Sequence, residues 1–136
     1  MRIDGGCHCG RLSYEADIDP EKVGVCHCTD CQTLSGSAFT AFVPVTKDAF
    51  RLRGQPKIYV KTADSGNRRA QAFCPECGTR MYASAEKDPQ VFNLRLGTVR
   101  QRAQLQPKAQ VWCRSALPWV MDLGKVKQLP KSPPPA

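Results

Sequence analysis

The sequence predicts a mainly β domain, on three observations. Apolar and polar residues alternate over short stretches, turn-forming residues interrupt those stretches at short intervals, and the cysteines are grouped in close sets. Leu12, Tyr14 and Ala16 alternate with polar neighbours, as do Ile58 and Val60. Residues Ala38 to Val43, Arg69 to Phe73, Arg80 to Ser84 and Val91 to Leu96 read as further short strands. Between them lie Asp19-Pro20, Gly54-Gln55-Pro56, Ser65-Gly66-Asn67 and Asp88-Pro89, which favour turns over extended chain. A bent sheet or a small barrel is the expected shape.

Helical signals are few. Thr29 and Gln32 have the spacing of a capping box, and Gly36 can end the segment they begin. A second short turn is expected from Thr46 to Phe50. From Lys125 onward the chain is rich in proline and lysine, which favours extended polyproline conformation and offers no core-forming face. The expected organisation is a folded domain over residues 1–124 and a C-terminal extension over 125–136.

At 136 residues and 15.0 kDa the chain is the size of one domain. With 41% hydrophobic and 24% charged residues, wholesale disorder is excluded. No apolar run approaches the roughly 18 residues that a membrane helix needs, so no membrane association is expected. The opening Met1-Arg2-Ile3-Asp4-Gly5-Gly6 lacks the apolar stretch of a secretory signal, and the expected compartment is the cytoplasm, where thiols stay reduced. Eight cysteines is a high count for such a compartment and points to metal.

Seven of them form three knuckles: Cys7-His8-Cys9, Cys26-His27-Cys28-Thr29-Asp30-Cys31 and Cys74-Pro75-Glu76-Cys77, with Cys113 apart. Zinc sites draw thiolates from close pairs that the fold brings together, and glycines after such pairs (Gly10 and Gly78 here), with φ > 0, are expected to let amides approach the sulfurs. Disulfides would need an oxidising compartment, and the spacings are not those of ferredoxins. Two pairs and a triplet divide naturally. Cys7, Cys9, Cys74 and Cys77 would make a closed, structural four-thiolate site. Cys26, Cys28 and Cys31 would hold a second metal with an open fourth position, the mark of catalytic zinc. That gives two zinc ions per chain. The competing expectation is a second structural site whose fourth ligand is Cys113, His8 or His27. Cys31, in the first helical turn, is expected to have its thiolate favoured by the helix N-terminus.

The motifs resemble those of the glutathione-dependent formaldehyde-activating (GFA) domain family. They are Gly5-Gly6-Cys7-His8-Cys9-Gly10, Cys26-His27-Cys28-x-x-Cys31 with Gly36-Ser37-Ala38-Phe39, and Phe73-Cys74-x-x-Cys77-Gly78-Thr79. Leu96-Gly97-Thr98 and Pro118-Trp119 also match, so the resemblance runs from about Gly5 to Trp119. It implies a β-tent fold built mainly of antiparallel strands and the same division of cysteines between two zinc ions. Two positions depart from the pattern: Gln110, where the family often has histidine, and Cys113, where an apolar residue is usual.

The function expected on these grounds is a carbon–sulfur lyase, or related enzyme, acting on a small-molecule adduct of a thiol such as glutathione with an aldehyde. Addition of a thiol to a carbonyl needs a thiolate and a polarised oxygen, and an open zinc can supply either. Arg68, Arg69, Arg80 and Arg95 are candidates for pairing with glutathione's carboxylates. The alternative is a non-catalytic zinc module for nucleic acid or protein, supported by a formal charge of +8. Scattered lysines and arginines and only 7% aromatic residues count against nucleic acid. Thiol-redox chemistry at Cys113, beside Arg114, is a third reading. It stands against an inert, half-buried strand cysteine.

Overall fold

The computed structural model describes residues 1–135, which form ten strands in two sheets and one short α-helix. The smaller sheet has the order β1-β2-β5, from β1 (Arg2–Gly6), β2 (Ser13–Asp17) and β5 (Phe50–Arg53). The larger sheet contains β3 (Gly24–Cys26), β4 (Thr40–Thr46), β6 (Lys57–Thr62), β7 (Arg68–Phe73), β8 (Arg80–Ala85), β9 (Val91–Arg95) and β10 (Ala109–Val111). Its order is β10-β3-β4-β9-β8-β7-β6. Helix α1 spans Thr29–Ser35. The mainly β, tent-like architecture expected from the sequence is therefore present.

Both sheets contribute to one core. Ile3 and Tyr14 from the small sheet join Val43, Met81 and Leu94 from the large one, all of them buried. Phe50 of β5 makes edge-on ring contacts with Tyr14 at 5.7 Å and Tyr82 at 5.9 Å between centroids, bridging the sheets. Gly5 pairs with Val99, and a Cβ there would lie 2.1 Å from the Thr98 carbonyl oxygen. The small sheet can dock this closely only because residue 5 has no side chain.

One strand pair departs from the antiparallel expectation. β10 runs parallel to β3, in the register Ala109↔Gly24, Gln110↔Val25 and Val111↔Cys26. Parallel pairing needs a long crossover, and here most of the domain intervenes. Strands β1, β3 and β10 are too short, or too rich in glycine, to show an alternating pattern, whereas β5 alternates, with Phe50 and Leu52 partly buried and Arg51 and Arg53 exposed, over only four residues. The turn expected at 46–50 is a 3₁₀ turn over Lys47–Ala49. Beyond Lys125 the described residues are exposed and carry no strand or helix, and Ala136, the last residue of the expected extension, lies outside them.

Candidate metal centres and the cavity beside the thiol triplet

Cys7 and Cys9 sit in the turn between β1 and β2, while Cys74 and Cys77 sit in the turn between β7 and β8. In each turn a left-handed glycine reverses the chain. Gly10 (φ 82°) donates its N–H to the Cys7 carbonyl at 3.1 Å, and Gly78 (φ 76°) donates to that of Cys74 at 2.9 Å. These amides close the turns rather than reaching the sulfurs. It is Leu12 that donates an N–H to Cys7 Sγ, at 3.2 Å. The His8 N–H donates to Thr79 Oγ1 at 3.1 Å, tying one knuckle to the other.

The four sulfurs lie within 4.8 Å of one another. Cys7 and Cys9 are 3.6 Å apart at Sγ, and Cys9 and Cys74 are 3.7 Å apart. Four sulfurs placed tetrahedrally about 2.3 Å from a zinc ion would be about 3.8 Å from each other. The spacing fits a four-thiolate metal site. Thr79, through its hydroxyl and amide, holds the Cys77 thiol down at about 5. The Arg11 amide favours the Cys9 thiolate, but burial and the neighbouring thiols outweigh it and push Cys9 up to about 11. Ionising one thiol thus hinders the next, and a divalent cation relieves that repulsion.

The triplet forms a second group, its three sulfurs also within 4.8 Å. Cys26 ends β3, Cys28 is the N-cap of α1, and Cys31 lies in the first helical turn. The sequence reading of the cap is corrected here: the capping atom is Cys28 Sγ, which accepts the Cys31 N–H at 3.2 Å, and Thr29 is the first helical residue. Gln32 does not complete a capping box. Its side-chain amide donates to the carbonyls of His27 at 2.9 Å and Ser115 at 3.0 Å. Gly36, in the left-handed region, ends the helix as expected.

The electrostatic expectation is corrected with it. Burial, then the thiols of Cys28 and Cys26, push Cys31 up to about 12. For Cys28 burial is outweighed by the Cys31 N–H, the neighbouring thiols and the charge of Lys61, so its thiolate is the favoured one. The helix amide acts on the cap sulfur, not on the thiol inside the turn.

Among the described residues, neither histidine nor Cys113 joins the sulfur groups. His8 is exposed. His27 is buried, with Nε2 bonded to Gln110 Oε1 at 2.8 Å. Cys113 opens a 3₁₀ turn and is exposed, so it is neither half-buried nor on a strand. Alternation along β3 explains the split: Cys26 faces one side of the sheet, whereas Val25 and His27 line a different hollow that Cys113 shares.

Cys26 and Cys31 line a cavity of about 420 Å³, within the usual range for small-molecule sites. Three cationic side chains line it too: Lys61 of β6, Arg69 of β7 and Arg95 of β9. Arg95 and Arg80 both donate to Gln71 Oε1, at 3.1 and 2.8 Å, and Arg80 also donates to the Leu34 carbonyl at 2.9 Å. Arg80 therefore braces α1 and Gln71 instead of lining the cavity. Arg68 points elsewhere, in a two-bond pair with Glu86 at 2.8 and 3.1 Å. Of the four arginine candidates, then, two face the triplet's cavity. The sequence reading missed Lys61, Gln71 and Trp112. Alternation along β7 offered a signal for one of them, since Gln71 shares a face with Arg69.

A model of the glutathione-dependent formaldehyde-activating enzyme (GFA) family matches residues 2–115. The chain belongs to the GFA family. It is 29% identical over 79 residues to a protein of Schizosaccharomyces pombe named an uncharacterized lyase. That match covers 58% of this chain and 55% of the relative, so it spans about half the length of the yeast protein. A crystal structure of a Rhodobacter sphaeroides protein has the same fold, with a TM-score of 0.60 at 16% identity, over 79% of this chain and 99% of that one. Among the described residues no helix is long and apolar enough to cross a membrane.

Proposed function

We propose that this GFA-family protein is a zinc-dependent carbon–sulfur lyase of the cytoplasm, acting on adducts of glutathione or another small thiol with an aldehyde. The observation that carries the proposal is the placement of the Cys26, Cys28 and Cys31 triplet beside a cavity lined by Lys61, Arg69 and Arg95. Cys7, Cys9, Cys74 and Cys77 fit a structural zinc, and the triplet fits a second zinc with one position left for substrate. Residues 1–124 would form the catalytic domain and 125–136 an extension to it.

Bound at the triplet, zinc supplies a Lewis acid for a carbonyl oxygen and a partner that keeps a thiol ionised near neutral pH. The protein's own groups do the rest. Arg69 and Arg95 present planar guanidinium forks suited to carboxylates, and Lys61 adds a third cation while bonded to Asp30 of α1. Gln71 fixes Arg95 from below, so little side-chain freedom is lost on binding. Leu34 and Phe42 add apolar surface to the cavity lining. In adduct cleavage the carbon–sulfur bond breaks with its electron pair going to sulfur. The hydroxyl proton goes to water or to the departing thiolate, and the oxygen becomes a carbonyl. The reverse reaction returns the proton to that oxygen, and neither direction needs an oxidant or a reductant.

The test is NMR exchange spectroscopy on glutathione and formaldehyde at equilibrium, with zinc-loaded protein added. Exchange between free and adducted thiol should accelerate, and the acceleration should be lost in Cys28→Ser. No acceleration over the spontaneous rate, with glutathione or with cysteine as thiol, would refute the proposal.

A further inference from the structure

We infer that Trp112 is a specificity-determining residue, and that it gives the cavity an apolar end suited to aldehydes bearing an alkyl or aryl group. The inference rests on the reading of the cavity as a thiol–aldehyde site. The first observation is conformational. Trp112 has φ 57° and ψ 38°, in the left-handed region, one of two non-glycine residues with positive φ among those described. A bulky aromatic is strained there and stays only where its surroundings over-determine the backbone.

Those surroundings are visible on both sides. Before Trp112, β10 is paired to β3, and the Val111 carbonyl accepts the His27 N–H at 3.0 Å. After it, the Ser115 N–H donates to the Trp112 carbonyl at 3.0 Å, while the Ser115 carbonyl accepts from the Gln32 side chain. The residues that fix Trp112 thus belong to the same β3–α1 segment that carries the three thiols.

The second observation is where the indole sits. It is 53% exposed, yet it lines the cavity together with Cys26 and Cys31. An aromatic held under strain and left half in water gains little from folding.

In the strand order the indole and the cations stand on opposite sides of Cys26, with Lys61 reaching back to Asp30 of α1. Cys26 is on β3, with β10 on one side carrying Val111 and leading into Trp112. On the other side, β9, β7 and β6 carry Arg95, Arg69 and Lys61. With sulfur at the triplet, the carboxylates of the thiol component fall toward the cations. The carbon substituent contributed by the aldehyde falls toward the indole.

The experiment uses zinc-loaded protein and two non-reacting thioethers, S-methylglutathione and S-hexylglutathione, with affinity read by calorimetry and stability by thermal unfolding. Wild type should bind the hexyl compound more tightly. Trp112→Gly should lose about tenfold for it and about twofold or less for the methyl compound, since aromatic contact acts on the added chain. Trp112→Phe should recover most of the loss. Unfolding temperature should be unchanged or higher in the glycine variant, because the strain is gone. Equal loss for both ligands together with a lowered unfolding temperature would make Trp112 merely structural and overturn the inference. So would hexyl affinity that ignores the substitution while wild type binds both ligands. Failure of wild type to bind either thioether would instead refute the reading of the cavity itself, and the inference with it.

Discussion

Losing a cysteine should have opposite consequences at the two sulfur groups, and the reason lies in chain topology. Cys9 and Cys74 are 65 residues apart in sequence and 3.7 Å apart at sulfur. A metal joining them closes a loop of that length, and the corresponding cross-link entropy is about 4 kcal/mol. That is a lower bound, because zinc binding to a four-thiolate site is of order 10 kcal/mol. Against a total stability of about 5–15 kcal/mol, either figure is large. Cys26, Cys28 and Cys31 instead lie within one short stretch that the β3–β4 ladder and α1 already order, so a metal there adds little long-range closure. Cys77→Ser is the cleaner probe of the first group. Cys77 lies at the surface, so serine leaves no cavity, whereas Cys74 is fully buried. Cys77→Ser should lower the unfolding temperature by at least about 10–15 °C, and Cys28→Ser should lower it by only a few degrees. Circular dichroism melts of both variants, with metal content measured in parallel, give the comparison. Equal losses would show that the triplet also holds the fold, and a native-like melt for Cys77→Ser would show that the four-sulfur site does not.

Three further outcomes are expected. On the proposed function, replacing Arg69 by glutamine should raise KM for the glutathione adduct about tenfold while leaving kcat within about threefold, because the proposed carboxylate contact would be present in ground and transition states alike; a fall in kcat alone would contradict this placement. Burial of Tyr14, only partly offset by its hydrogen bond to Thr98, pushes its hydroxyl up to about 12. The folded state therefore opposes ionisation, and stability fully present below about pH 10 should fall by about 2–3 kcal/mol as pH rises toward 12. Urea titrations of wild type and Tyr14→Phe at pH 9 and 11.5 should show a markedly smaller drop in the variant, and parallel drops would refute the assignment. Gly5→Ala would place a methyl 2.1 Å from the Thr98 carbonyl oxygen and 2.6 Å from the Tyr14 hydroxyl, which should cost about 2–4 kcal/mol in urea unfolding. An unchanged midpoint would mean the sheets are free to separate there.

How far the sequence reaches depends on whether each feature is local. β2 was legible because apolar and polar residues alternate along it, β7, β8 and β9 because each is a short run set between turn residues, and Gly36 because a helix ends on a conformation that glycine adopts. The grouping of seven cysteines was legible for a chemical reason: close thiol pairs and a triplet limit how sulfurs can be shared. The cavity wall was legible only in part. Arg69 and Arg95 stood among four arginine candidates, but they and Lys61 come from three strands, and nothing near any of them in sequence marks the other two as neighbours. β10 is the hardest case, three exposed residues with no pattern, fixed only by the strand it joins.

That unreadable strand connects the thiol triplet to the proposed selectivity. Its parallel pairing with β3 sets Val111 opposite Cys26. The next residue has then turned into the left-handed region to bring an indole beside the thiol triplet. Gln32, chosen from the sequence for its spacing from Thr29, ties the same turn to the helix. A substitution at Gln32 should therefore disturb ligand preference without touching a cysteine or a cavity cation. Gln32→Ala removes the bond to the Ser115 carbonyl and frees the turn that carries Trp112. Selectivity for a long S-alkyl group over a methyl group should fall as it does in Trp112→Gly, with metal content unchanged at both sites. If metal is lost from the triplet as well, Gln32 acts on the thiols through the His27 carbonyl, and β10 is a brace for the metal site rather than a wall of the cavity.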